Sequence, residues 1–130
     1  MGSTWPPELE VTAVDEIAHA IRNSRFRFST ETRLCDGLEI LLRSLDVGVI
    51  REHRLDGESR LDFWVPSLGL CIEVKKKRSE ALLLRQLEKY ALHPSVRCIL
   101  VVTSRMQLAA LHLELNGKPL RVQPLVASLL

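Results

Sequence analysis

Arg60-Leu-Asp-Phe-Trp-Val-Pro-Ser-Leu-Gly-Leu-Cys-Ile-Glu-Val-Lys75 is the stretch on which the fold turns. Two apolar runs, Leu61–Val65 and Leu70–Val74, flank Pro66, Ser67 and Gly69, so the segment reads as two short strands joined by a tight connection. Strand neighbours point to opposite faces, which puts Glu73 and Lys75 on one face and Ile72 and Val74 on the other. Antiparallel pairing across the turn sets Asp62 beside Glu73. Two acidic oxygen donors and one ammonium then share a face, a seat for a hard divalent cation. The other reading of the same residues is an Asp62–Lys75 ion pair on a sheet face, a costly way to build a core because both charges leave water.

Upstream, Asp56-Gly57-Glu58-Ser59 is a turn and Val47–Arg54 alternates as a strand, giving three consecutive antiparallel strands. Before them, Ser29 or Thr30 caps a helix running to about Leu45. Its apolar stripe is Leu34, Leu38, Leu41, Leu42 and Leu45, and Gly37 allows close approach of a neighbour. At about 100° per residue, Glu31 lies roughly 40° from the centre of that stripe and Glu39 about 120° away. Glu31 is therefore expected to face the sheet and Glu39 the solvent. Further upstream, Val11, Val14, Ile17, Ala18 and Ile21 mark an amphipathic helix over Glu8–Arg22. Arg22, Arg25 and Arg27 then alternate with Phe26 and Phe28, as a connector whose rings plug the core or as a basic arm on phosphates.

Downstream, Lys75, Lys76, Lys77 and Arg78 form a basic run that is either solvated surface or a phosphate contact. Ser79 is a cap for a helix over Glu80–Leu92, with Leu83, Leu84, Leu87 and Ala91 inward and Pro94 as its stop. Val96–Thr103 is nearly continuous in apolar residues, as for a central strand covered on both faces. Ser104 caps a predicted helix through about Leu115, Asn116-Gly117 turns the chain, and Leu120–Val126 is a last strand or extended segment.

The 130 residues suffice for one domain with a core and not for two. No apolar run approaches a membrane span and no basic-then-apolar leader is present, so the expectation is a cytoplasmic chain with no membrane partner. Cys35, Cys71 and Cys98 are odd in number and far apart, which argues for reduced, buried thiols and against a disulfide framework or zinc site. A net charge of +2 confines any nucleic-acid footprint to a local patch. No P-loop, GxSxG or HExxH pattern occurs, and His19, His53, His93 and His112 form no spacing typical of a site.

Asp62 followed by Glu73-Val74-Lys75 resembles the PD-(D/E)XK nuclease superfamily, although Leu61 stands where that family places proline. Glu31 matches its helix glutamate, and Gln86-Leu-Glu-Lys-Tyr90 is similar to the Q-x-x-x-Y pattern of its RecB-type members. The likeness spans about Glu31 to Val102, and the element order αβββαβ agrees with it. It implies an α/β, restriction-endonuclease-like core: a central mixed sheet flanked by helices, with an extra N-terminal helix. One nuclease-like domain would fill 1–130, with that helix at 8–22, the core at 30–103 and a C-terminal helix and strand at 104–130.

The implied activity is metal-dependent hydrolysis of DNA phosphodiesters with Mg²⁺ or Mn²⁺ as cofactor. Asp62, Glu73, the Val74 carbonyl and Glu31 would be the metal's partners, and Lys75 would orient or deprotonate the attacking water. Gln86 and Tyr90 share a helical face and would meet nucleic acid with Lys76, Lys77 and Arg78, Tyr90 being otherwise a boundary aromatic. A domain of this size offers little surface for base readout, which leaves room for a homodimer or a larger partner protein. The absence of four clustered cysteines argues against the iron–sulfur subgroup of RecB-like nucleases. Two rival classes are a catalytically idle nuclease-like domain and a structural interaction module, the second drawing on the apolar tail Leu125–Leu130.

Overall fold

Thr30 begins the helix that underlies the sheet: its backbone is extended, and its hydroxyl accepts the Arg33 N–H at 3.1 Å. Leu34, Leu38 and Leu42 then follow at helical spacing and are fully buried. The computed structural model describes residues 7–26, 29–75, 80–104 and 113–127. Their order is α1 (Pro7–Arg22), β1 (Arg25–Phe26), α2 (Glu31–Ser44), β2 (Ile50–Arg54), β3 (Arg60–Val65), a 3₁₀ turn (Pro66–Leu68), β4 (Leu70–Lys75), α3 (Glu80–Ala91), β5 (Cys98–Thr103), β6 (Leu113–Leu115), β7 (Lys118–Pro124) and β8 (Val126–Ala127). From α2 to β5 this is the expected αβββαβ order.

One six-stranded mixed sheet results, in the order β2-β3-β4-β5-β7-β6. The first three strands are antiparallel, β4, β5 and β7 are parallel, and β6 returns antiparallel to β7. Every residue of β4 and β5 is buried, because helices cover both faces. Val14, Ile17 and Ile21 of α1 and the α2 leucines pack with Phe63, Ile72, Val74 and Leu100. Leu83, Leu87 and Tyr90 of α3 pack with Cys71, Ile99 and Val101 on the other side. Each fully buried leucine or isoleucine in these layers contributes roughly 2 kcal/mol. Among the described residues no helix is long and apolar enough to cross a membrane.

The connector after α1 carries Phe26 into the core, and its ring lies so close to Gly37 that a Cβ there would meet Cδ1 at 3.3 Å. Arg27 and Phe28 lie outside the described residues, as do Lys76–Ser79 and most of the predicted helix after Ser104. The end of that helix is corrected: Leu113–Leu115 is a strand. Asn116 and Gly117 both take positive φ (53° and 77°), the two-residue turn whose twist suits a hairpin, and Leu115 pairs with Lys118 across it. The hairpin recruits the residues before it into the sheet. The strand expected from Val47 begins only at Ile50, since Asp46 (φ 57°) and Gly48 (φ 69°) bend the chain first. Pro124 ends β7, and Val126 and Ala127 cross to pair in parallel with Arg25 and Phe26.

The alternation of side chains breaks at one rung. Arg51 ion-pairs with Asp36 and Glu39 on α2 and lies over the Phe63 ring, whereas His53, two residues on, stacks on Trp64 in the α3 layer. Phe63 likewise packs in the α1–α2 layer, while Leu61 packs in the α3 layer. Regular strands keep such residues on one face. Glu52 stands between, in a left-handed conformation (φ 54°), at the position the pairing skips between Arg51↔Phe63 and His53↔Leu61, where Asp62 lies on β3. Both strands turn over at this rung, and Asp62 sits on it.

Candidate active site

The β3–β4 ladder runs through Val65↔Leu70, Trp64↔Cys71 and Phe63↔Ile72. At the next position side chains take over the pairing. The Asp62 N–H donates to Glu73 Oε1 at 3.1 Å, and the Val74 N–H donates to Asp62 Oδ2 at 2.7 Å. Each carboxylate thus closes a backbone bond of the opposite strand, fixing both side chains without a rotamer search. Tyr90 of α3 reaches in from the second layer: its hydroxyl donates to the Arg60 carbonyl at 3.1 Å and to Glu73 Oε2 at 3.3 Å. Lys75, two residues along β4, brings Nζ to 3.3 Å from the same Oε2.

Glu73 is 1% exposed and Lys75 9%. Burial, and then the Asp62 carboxyl, push Glu73 up to about 8, against the pull of Lys75 and the Asp62 N–H. At neutral pH the Glu73 carboxyl therefore keeps its proton. Burial and the Glu73 carboxyl also push the Tyr90 phenol well above its usual range, which keeps it a donor.

The residues expected at the site divide into three groups. Asp62, Glu73 and Lys75 come together as the spacing implied. Tyr90 joins them in a different role: at 2% exposed, with its hydroxyl spent on Arg60 and Glu73, it holds the carboxylate and has no surface for nucleic acid. Gln86, half-buried one turn earlier on α3, lines a groove with it. Lys76, Lys77 and Arg78 lie outside the described residues.

Glu31 is exposed at the first turn of α2. One turn on, the half-buried Cys35 thiol is pushed up to about 12 by its burial and by Asp62, with Glu31 and Glu73 adding to the effect. The expected contrast with Glu39 is corrected: Glu39 is 26% exposed and bridges Arg43 on its own helix to Arg51 on β2. The sequence marks Cys35 only as a reduced, buried thiol; its i+4 spacing from Glu31 was the signal for its place on that face of α2. The Arg60 carbonyl offered none, being backbone.

The donor chemistry fits a hard divalent cation in one respect and restricts it in another. A buried carboxyl that keeps its proton at neutral pH beside a second carboxyl offers a cation that proton's place. Yet Glu73 already accepts from three groups, and among the described residues no group of three or more His, Cys, Asp or Glu side chains is placed to hold a metal. No family model, curated protein or solved structure matches the chain. What stands established is an α/β domain with a six-stranded mixed sheet flanked by helices.

Proposed function

We propose that this domain is a metal-dependent deoxyribonuclease built on the PD-(D/E)XK plan, hydrolysing phosphodiesters with Asp62, Glu73 and Lys75. The observation that carries the reading is the junction where the β3–β4 ladder opens: two carboxyls and an ammonium within one hydrogen-bonded cluster, two of the three nearly buried. Mg²⁺ or Mn²⁺ would be held by Asp62 and Glu73, with the Val74 carbonyl as the main-chain donor. Bound there, such an ion supplies an acidified water and a Lewis acid for the phosphoryl oxygen.

The chain's own groups do the rest. The Val74 N–H fixes Asp62 Oδ2, and the Asp62 N–H and Tyr90 hydroxyl fix the two oxygens of Glu73. The Lys75 ammonium, freed from Glu73, offers its protons to the attacking water or to charge growing on the phosphoryl oxygens. Because the cluster is largely closed to solvent, that charge is worth more there than in water.

A second reading, a catalytically idle nuclease-like domain, is favoured by the saturation of Glu73 within the protein. Incubating plasmid and single-stranded DNA with Mg²⁺, Mn²⁺ or EDTA separates the two. Cleavage with either ion, absent in EDTA and reduced at least about 100-fold in Lys75→Ala, supports the nuclease. Folded protein that cuts neither DNA with either ion leaves the idle domain.

A further inference from the structure

A groove beside the site is lined by Glu58, Leu82, Arg85, Gln86, Lys89 and Tyr90. Tyr90 forms its buried end and touches Glu73, so the groove leads to the carboxyl cluster. Arg85 and Lys89 are exposed on α3, one helical turn and about 6 Å apart. Neither makes an ion pair or a side-chain hydrogen bond among the described residues, whereas Arg43, Arg51 and Arg121 all do. Glu58, from the β2–β3 turn, supplies the opposite rim. The groove is thus cationic along α3 and acidic across from it.

We infer that this groove is the track for a single nucleic-acid strand, with Arg85 and Lys89 contacting successive phosphates; the inference rests on the nuclease reading and names its substrate class. A duplex presents two phosphate backbones and would bring the second against Glu58. A single strand has one, which runs along α3 and turns its bases toward the other rim. Leu82, 52% exposed, lies one turn before Arg85 and Gln86 and gives those bases or sugars an apolar surface.

The test is fluorescence anisotropy of a short labelled oligothymidylate and of a labelled duplex, in EDTA across a salt series, so that nothing is cut. Arg85→Ala/Lys89→Ala is compared with the wild type and with the charge-preserving swap Arg85→Lys/Lys89→Arg. Each single-strand phosphate contact adds about 0.7 to the slope of log K against log salt, so the alanine pair is expected to flatten it by about 1.4. Single-strand affinity should drop roughly tenfold or more at low salt, while the swap keeps the slope. An unchanged slope in a folded alanine pair, no single-strand binding by the wild type, or tighter duplex binding would each overturn the groove assignment. Metal-dependent cleavage by the same preparations, scored separately, reports on the nuclease reading alone.

Discussion

Glu73→Gln isolates the proton that the buried Glu73 carboxyl holds. Glutamine copies the protonated acid in shape: its carbonyl oxygen still accepts from the Asp62 N–H, and its amide nitrogen, a donor, meets the Tyr90 oxygen at the Oε2 position. An acid whose folded pKa lies above its unfolded value makes the native state bind more protons, so the stability it allows is fully present below the unfolded value and lost as pH rises. Here the window runs from 4.5 to about 8. Across it the wild type, free of divalent ions, should lose stability relative to Glu73→Gln at about 1 kcal/mol per pH unit, on the order of 4 kcal/mol in total. A domain of ordinary stability, about 5–15 kcal/mol, feels a loss of that size strongly. Urea titrations of both proteins in EDTA at intervals from about pH 5 to pH 8.5 measure it directly. Parallel stability curves would mean that Glu73 is ionised in the folded protein, and the proton assigned to it would have to be given up. Adding Mg²⁺ should lift the wild type alone at the alkaline end, since an ion that binds only the native state stabilises it by mass action.

Tyr90→Phe removes the hydroxyl that meets Glu73 and leaves the Arg60 carbonyl short of a donor, so it should cost about 1–2 kcal/mol in the same urea assay; a loss under about 0.3 kcal/mol would mean the phenol is idle. At Glu52, valine should destabilise by roughly 1–2 kcal/mol and glycine should be neutral or stabilising, the reverse of ordinary strand preference, because φ there is 54°. The strand-like ranking, valine above glycine, would show that β2 runs regularly past Asp62.

Much of the architecture was legible because local signals and long-range packing agreed. The runs on either side of Pro66–Gly69 are both apolar enough to be central, and Gly69 (φ 58°) has the backbone the turn needs. A Cβ there would meet the Ser95 carbonyl at 2.9 Å, which is why the strand pair and the entry to β5 fit together. Asn116-Gly117 announced a turn, but residues 113–115 looked like the end of a helix because three residues carry no period of their own. Asp62 beside Glu73 followed from antiparallel register. That register assumed regular alternation, and nothing about a glutamate at 52 signals a left-handed residue.

The helical wheel erred at Glu39 for a related reason. A wheel knows only its own apolar stripe, whereas Arg51, on a strand twelve residues later, draws both Asp36 and Glu39 toward the sheet. Tyr90 was found by pattern, but its partners were not, since spacing cannot tell a hydroxyl facing solvent from one facing a buried carboxylate. Burial decides that, and burial is a property of the assembled layers.

Calorimetric titration of Mn²⁺ into the wild type and Asp62→Asn near neutral pH, in two buffers of different ionisation enthalpy, tests the metal-bearing carboxyl pair most directly. The wild type should bind one ion and release about one proton as the cation replaces it, and Asp62→Asn should lose most of that affinity. Equal affinity in the two proteins, or binding by the wild type without proton release, would remove Asp62 and Glu73 from the role given to them here.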